Sequence, residues 1–214
     1  VYTVNNLIDH GQPTCQKSNL SDKKGGSIAL WAQTSDSVVD SNHQFDTDGI
    51  ILRTFFSSSG QFCKDCRTET NTMNSVEIRN NTIEGEYAWE NHCSSSGIKI
   101  ALGAAPNTPP PTMSNGVLIA HNTISRADAD MTGGAIAFSN GWYAGPTPNR
   151  WPLMDNTLIH HNNIGEMWSG RAQSCGNQTL PSRTGISTGN TSLLWNAVLY
   201  ANSCNKIPQA INAH

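Results

Sequence analysis

Short runs in which apolar residues stand two apart recur along this chain. Each run closes on an asparagine, and most place an apolar residue two positions beyond it. The runs are Val1-Tyr2-Thr3-Val4-Asn5-Asn6-Leu7-Ile8, Ser37-Val38-Val39-Asp40-Ser41-Asn42, Val76-Glu77-Ile78-Arg79-Asn80-Asn81-Thr82-Ile83, Val117-Leu118-Ile119-Ala120-His121-Asn122-Thr123-Ile124, Thr157-Leu158-Ile159-His160-His161-Asn162-Asn163-Ile164 and Ala197-Val198-Leu199-Tyr200-Ala201-Asn202-Ser203-Cys204. A spacing of two is strand spacing, because successive side chains of an extended chain point to opposite faces. Asn6, Asn42, Asn81, Asn122, Asn162 and Asn202 stand 36, 39, 41, 40 and 40 residues apart. Self-similarity at such a period marks a solenoid or a propeller. Asparagine suits a sharp corner in the repeat, since it tolerates left-handed backbone angles and its amide bonds neighbouring backbone groups.

A second strand follows in every unit, usually after a glycine: Gly26-Ser27-Ile28-Ala29-Leu30, Gly49-Ile50-Ile51-Leu52, Gly97-Ile98-Lys99-Ile100, Gly134-Ala135-Ile136-Ala137-Phe138, Gly185-Ile186-Ser187 and Ala210-Ile211-Asn212. The gap from Asn to the next second-strand Ile varies from 8 to 24 residues, and the gap from that Ile to the next Asn from 14 to 31. Constant strands with elastic gaps fit stacked coils, in which strands pair above and below while loops project sideways. A propeller needs four strands per blade and does not fit such uneven gaps. The prediction is an all-β solenoid of about six coils, with two variable side loops per coil.

Composition narrows the setting. With 214 residues and 36% hydrophobic content, the chain can bury one long, narrow core, so residues 1–214 are expected to form one domain. Charged residues make up 14%, below the roughly 25% usual for soluble domains. Stacked like charges repel along a ladder, which favours Asn, Ser, Thr and Gly instead. A net charge of −3 gives no electrostatic footprint for nucleic acid or an anionic membrane. No apolar run approaches the roughly 20 residues of a membrane span. Val1 begins inside a repeat and His214 stops inside one. Because solenoid ends need covering, the chain is expected to belong to a longer protein or to have a protein partner at its ends.

Six cysteines favour an oxidising, extracellular or cell-surface location, with a reduced intracellular protein as the alternative. Cys15, Cys93 and Cys175 fall in loops on one flank, and Cys204 ends a strand on that side. Cys15 is expected to meet Cys93 across the short loop of the second coil, Cys175 to meet Cys204 from the adjacent coil, and Cys63 to pair with Cys66. A zinc site of Cys63, Cys66, His92 and Cys93 would need residues from opposite flanks. His121, His160 and His161 sit beside the asparagine column and read as structural, so no metal centre is expected among them.

The phrases Ile78-Arg79-Asn80-Asn81-Thr82-Ile83-Glu84-Gly85 and Leu118-Ile119-Ala120-His121-Asn122-Thr123-Ile124-Ser125 resemble repeats of right-handed parallel β-helix proteins, the pectin-lyase-like superfamily. The resemblance covers essentially the whole chain, and it implies that the six asparagines stack their amides in a ladder. It also implies that a substrate polysaccharide lies along the sheet of second strands, between walls made by the two variable loops. Strand alternation then turns Ile28, Leu30, Ile50, Leu52, Ile98, Ile100, Ile136 and Phe138 inward. It turns Trp31, Ile51, Arg53, Lys99, Ala101, Ala137 and Ser187 outward along the groove. One rim is acidic, with Asp46, Asp48, Glu84, Glu86, Glu90, Asp128 and Asp130. The other is aromatic, with Phe55, Phe56, Phe62, Trp142, Tyr143 and Trp151, whose flat faces suit sugar rings.

Two chemistries fit this outline. A lyase acting on uronic acids needs a cation to neutralise the carboxylate and a base to take the C5 proton. Arg53 and Lys99 are placed to share those roles, with rim acids offering oxygen ligands to Ca²⁺. A glycosidase needs two carboxylates flanking the bond. Phe45-Asp46-Thr47-Asp48-Gly49-Ile50 resembles the Asn-Thr-Asp-Gly motif of polygalacturonases, with Asp48 at the catalytic aspartate and Asp46 in place of the Asn. That family's Asp-Asp pair, Gly-His-Gly and Arg-Ile-Lys are absent. Each residue also has a plainer reading. Lys99 and Arg53 are then solvated cations, Asp46 and Asp48 shape a tight turn, and Trp142, Tyr143 and Trp151 pack their own loop. The expected function is a secreted β-helix that binds, and in either of these chemistries cleaves, an extracellular polysaccharide. A non-catalytic adhesive or structural β-helix within a larger surface assembly is the alternative.

Overall fold

A computed structural model of the chain describes residues 2–9, 28–31, 35–45, 49–53, 73–84, 97–102, 113–125, 134–140, 153–166, 184–187, 193–207 and 209–212. These residues form strands and no helix, and they fall into six tiers. The first tier holds β1 (Tyr2–Val4), β2 (Leu7–Asp9) and β3 (Ile28–Trp31), and the second β4 (Ser35–Asp40), β5 (His43–Phe45) and β6 (Ile50–Arg53). The third holds β7 (Met73–Arg79), β8 (Thr82–Glu84) and β9 (Ile98–Leu102), and the fourth β10 (Met113–Ala120), β11 (Thr123–Ser125) and β12 (Gly134–Asn140). In the fifth are β13 (Leu153–Asp155), β14 (Leu158–His160), β15 (Asn163–Ile164) and β16 (Thr184–Ser187). In the sixth are β17 (Leu193–Trp195), β18 (Val198–Tyr200), β19 (Ser203–Cys204) and β20 (Gln209–Asn212).

All pairing is parallel and joins equivalent strands of neighbouring tiers. One sheet runs β1-β4-β7-β10-β13-β17, with β14 and β18 alongside; a second runs β2-β5-β8-β11-β15-β19; a third runs β3-β6-β9-β12-β16-β20. This arrangement is compatible with a parallel β-helix. Two strand types per unit were expected, and three sheets are found. The asparagine divides what reads as one run into two strands on different sheets. Among the described residues no helix is long and apolar enough to cross a membrane.

Register brings like residues into columns. Ile28, Ile50, Ile98, Ile136, Ile186 and Ile211 stand opposite one another in the third sheet, as do Leu30, Leu52, Ile100 and Phe138. All eight residues expected to face inward from this sheet are buried. Val39, Ile78, Ile119 and Ile159 form the matching buried column of the first sheet. Each fully buried side chain of this size contributes roughly 1.5–3 kcal/mol relative to leaving it in water. Large exposed apolar residues occur in the first and last tiers, at Tyr2, Val4 and Leu7 and at Val198, Tyr200 and Ile211.

The six asparagines form one continuous ladder. The Nδ2 groups of Asn6, Asn42, Asn81, Asn122 and Asn162 donate to the Oδ1 of the next asparagine at 2.8–3.0 Å. The backbone N–H of each donates to the same Oδ1. From Asn42 onward, each Nδ2 also reaches a backbone carbonyl of the tier before: Thr3, Val39, Ile78, Ile119 and Ile159. Asn42, Asn81, Asn122 and Asn162 are buried, and these bonds satisfy amides that burial would otherwise penalise.

The left-handed residue at this corner is not the ladder asparagine itself but the one before it. Asn5, Ser41, Asn80, His121, His161 and Ala201 have φ between 52° and 57°. A second left-handed row, unforeseen in the sequence, bends the first sheet at Asp36, Ser75, Gly116, Asn156 and Asn196. The glycine just before β9 and the glycine within β16 each have a steric cause. A Cβ on Gly97 would lie 2.6 Å from Ile124 Cγ2, and one on Gly185 would lie 2.6 Å from Cys204 Sγ and 2.7 Å from the Ala210 carbonyl oxygen.

Candidate functional site

Register arranges the remaining third-sheet positions in two rows. Ala29, Ile51, Lys99, Ala137, Ser187 and Asn212 form one row; Trp31, Arg53, Ala101 and Ser139 form the next. Trp31 and Arg53 are thus direct neighbours, whereas Lys99 lies across from Ile51 and diagonal to Arg53. Lys99 is half-buried and engaged in an interaction. Ala137 and Ser187, expected to line an open groove, are instead buried, with exposures of 1% and 4%. Alternation sets which way a side chain points but not whether solvent reaches it. Of the acidic rim, Glu84 lies on β8, in register with Phe45 and Ser125. Asp46, Asp48, Glu86, Glu90, Asp128 and Asp130 fall outside the described residues, as do Phe55, Phe56, Phe62, Trp142, Tyr143 and Trp151.

Cys204 was expected to pair with Cys175, which lies outside the described residues. Cys204 stands in register with Ile8 and with the buried Gln44, Ile83, Ile124 and Ile164. Its thiol is free, packs partly against the core and directs Sγ toward the Ala210 carbonyl at 3.9 Å. Burial raises its pKa. Strand alternation exposes Ser203 and leaves Cys204 partly buried. Cys15, Cys63, Cys66, Cys93 and Cys175 lie outside the described residues.

The densest polar groupings lie along the asparagine corner. On the first sheet, register aligns Val4, Asp40, Arg79, Ala120, His160 and Tyr200. Beside them runs the left-handed row that includes Ser41, Asn80, His121 and His161. Asp40 accepts hydrogen bonds from Asn80 Nδ2 at 2.9 Å, Ser41 Oγ at 2.8 Å and Arg79 Nε at 3.0 Å. These bonds, Asn80's foremost, hold its carboxyl below the ordinary aspartate value. Arg79 also bridges to Glu77 at 3.0 Å.

One tier further along, three imidazoles converge. His121 and His161 stack at 5.0 Å, and His160 meets each of them edge-on at 5.2 and 5.1 Å. His160 stacks on Tyr200 at 5.0 Å, and the Nδ1 atoms of His160 and His161 are 2.9 Å apart. Burial first, then the neighbouring His161 and His121, push the His160 pKa down. The sequence carried a signal for this group: His121 and His161 are 40 residues apart, the same step as Asn122 to Asn162, so they had to fall in one row.

No family model, no curated protein and no solved structure matches this chain.

Proposed function

We propose that the chain is a right-handed parallel β-helix of the pectin-lyase-like kind. In this reading it works outside the cell, binding an acidic polysaccharide along the outer face of its third sheet. The observation that carries the reading is the position of Lys99 on β9, one strand from Arg53. Tiers recur at the strand spacing of about 4.8 Å, so a stiff polymer lying across them meets repeated contacts. Cations on that face attract uronate carboxylates, and Lys99 is the group assigned to touch the sugar. In the lyase form Lys99 and Arg53 act on the C5 proton and the carboxylate, with Ca²⁺ held by rim acids. In the hydrolase form Asp48 stands at the motif's catalytic aspartate.

A second reading, a non-catalytic adhesive or structural β-helix, is favoured by the burial of Ala137 and Ser187. That burial removes part of the outer face from solvent in the fourth and fifth tiers.

The test is a panel of acidic polysaccharides with Ca²⁺. Ultraviolet absorbance of unsaturated uronates reports a lyase, reducing-sugar release alone reports a hydrolase, and retention on immobilised polymer reports binding. Lys99→Ala is expected to weaken retention, and Asp48→Asn to abolish any hydrolysis. Retention without turnover selects the adhesive reading. No retention of the parent chain on any polymer, or retention unchanged by Lys99→Ala, overturns the proposal.

A further inference from the structure

The three histidines beside the ladder do more than stack. Their ring nitrogens include one from each residue such that all three lie within 4.8 Å of one another. His121 and His161 are exposed and His160 is half-buried, so an ion can reach them from solvent. A tetrahedral ion with metal–nitrogen bonds of about 2.0–2.1 Å holds its nitrogens about 3.3 Å apart. The 2.9 Å contact between the Nδ1 atoms of His160 and His161 is already near that spacing. Rotations of the His121 ring about its side-chain bonds would close the remainder. Two neutral imidazoles can share this contact only if one donates a proton, and a cation can take that proton's place.

We propose that His121, His160 and His161 form a three-imidazole site for a late first-row divalent cation such as Zn²⁺, Co²⁺ or Ni²⁺. The ligand set fixes the class. Imidazole nitrogen suits these borderline ions, whereas Ca²⁺ and Mg²⁺ require oxygen ligands. Three protein ligands leave a fourth position open to water or to a ligand from solution. The ion would also link the fourth and fifth tiers on the outside of the corner, parallel to the asparagine bonds within. This inference stands apart from the polysaccharide reading, since the cluster is on the first-sheet corner and not on the third-sheet face.

The fold itself supplies the variants. Asn5 and Asn80 occupy the left-handed row of His121 and His161, and Ala120 occupies the row of His160. His121→Asn, His161→Asn and His160→Ala therefore place in each row a residue that the row already accepts.

The experiment titrates the full chain with Co²⁺ under reducing conditions and follows its visible d–d bands. Expected is one saturable, tetrahedral-type spectrum without a thiolate charge-transfer band, weakened about tenfold or more by each of the three substitutions. His214→Asn should leave it unchanged. In a second measurement, Zn²⁺ should protect the peptides bearing His121, His160 and His161 from diethyl pyrocarbonate in the unmodified chain, a readout independent of any variant's folding. The proposal is overturned if no saturable band forms, if the band carries thiolate charge transfer, if it survives the three substitutions, or if Zn²⁺ gives those peptides no protection.

Discussion

Asn81 gives two hydrogen bonds to one atom of Asn122. Its Nδ2 donates to Asn122 Oδ1 at 2.9 Å, and its backbone N–H donates to the same oxygen at 3.0 Å. Both residues are buried, so no water can replace what either loses. Asn122→Ala removes the acceptor for both donors and the donor to the Ile78 carbonyl. With an orphaned buried polar group costing about 1–3 kcal/mol, the expected loss is about 3–5 kcal/mol of unfolding free energy. Asn6→Ala, in an exposed terminal tier, should cost about 1 kcal/mol. Urea unfolding followed by circular dichroism measures both, and equal losses would contradict the ladder's role.

The left-handed rows predict an order of tolerated residues. Gly116 has φ +73°, and an added Cβ would find its nearest neighbour at 3.6 Å, so conformation and not space restricts the site. Asn156 and Asn196 hold the equivalent positions of the next tiers. Gly116→Asn is therefore expected to change thermal stability little. Gly116→Val, β-branched in a left-handed conformation, should cost about 1–2 kcal/mol.

Gly185 tests the close approach beneath Cys204. Gly185→Ala is expected to destabilise by about 1–3 kcal/mol, because its Cβ meets both Sγ and a backbone oxygen. Adding Cys204→Ala removes the sulfur but not the Ala210 carbonyl, so the double variant should recover only part of the loss. Complete recovery in a melting experiment would show that the backbone contact is irrelevant.

Asp40 gives a pH dependence whose sign follows from its lowered pKa. Such a carboxylate stabilises the fold fully above its unfolded value, roughly pH 3.9, and the contribution disappears as pH falls through the lower folded value. The charges beside it are Arg79, paired with it, and Glu77, paired with Arg79. Arg79 is substantially exposed, which limits the effect to below about 1 kcal/mol. Comparing acid unfolding of Asp40→Asn with the parent chain should show the parent losing more stability on descending below pH 4.

Much of this was legible in the residues themselves. The alternation of Val76 and Ile78 with polar neighbours and the roughly 40-residue return of Asn predicted stacked strands, and the resemblance to β-helix repeats added the amide ladder. The direction of Ile50 and Ile98 was equally legible, since a period of two leaves no other inward set. Less legible was the role of His121, Asn80 and Ala201, which share a left-handed conformation but no common chemistry. Asp36, Ser75 and Gly116 escaped notice for the same reason.

By itself the sequence determined the repeat and the inward columns, consequences of local spacing repeated at a constant step, while the ladder was expected from the family resemblance. Only the tertiary structure decided that three sheets surround the core and that Cys204 packs partly against it. It likewise decided that Ala137 and Ser187 are covered, and that three imidazoles from two tiers converge beside the ladder. Those outcomes depend on how far each corner turns the chain and on what lies over a face, and neither is written in the order of residues along one strand.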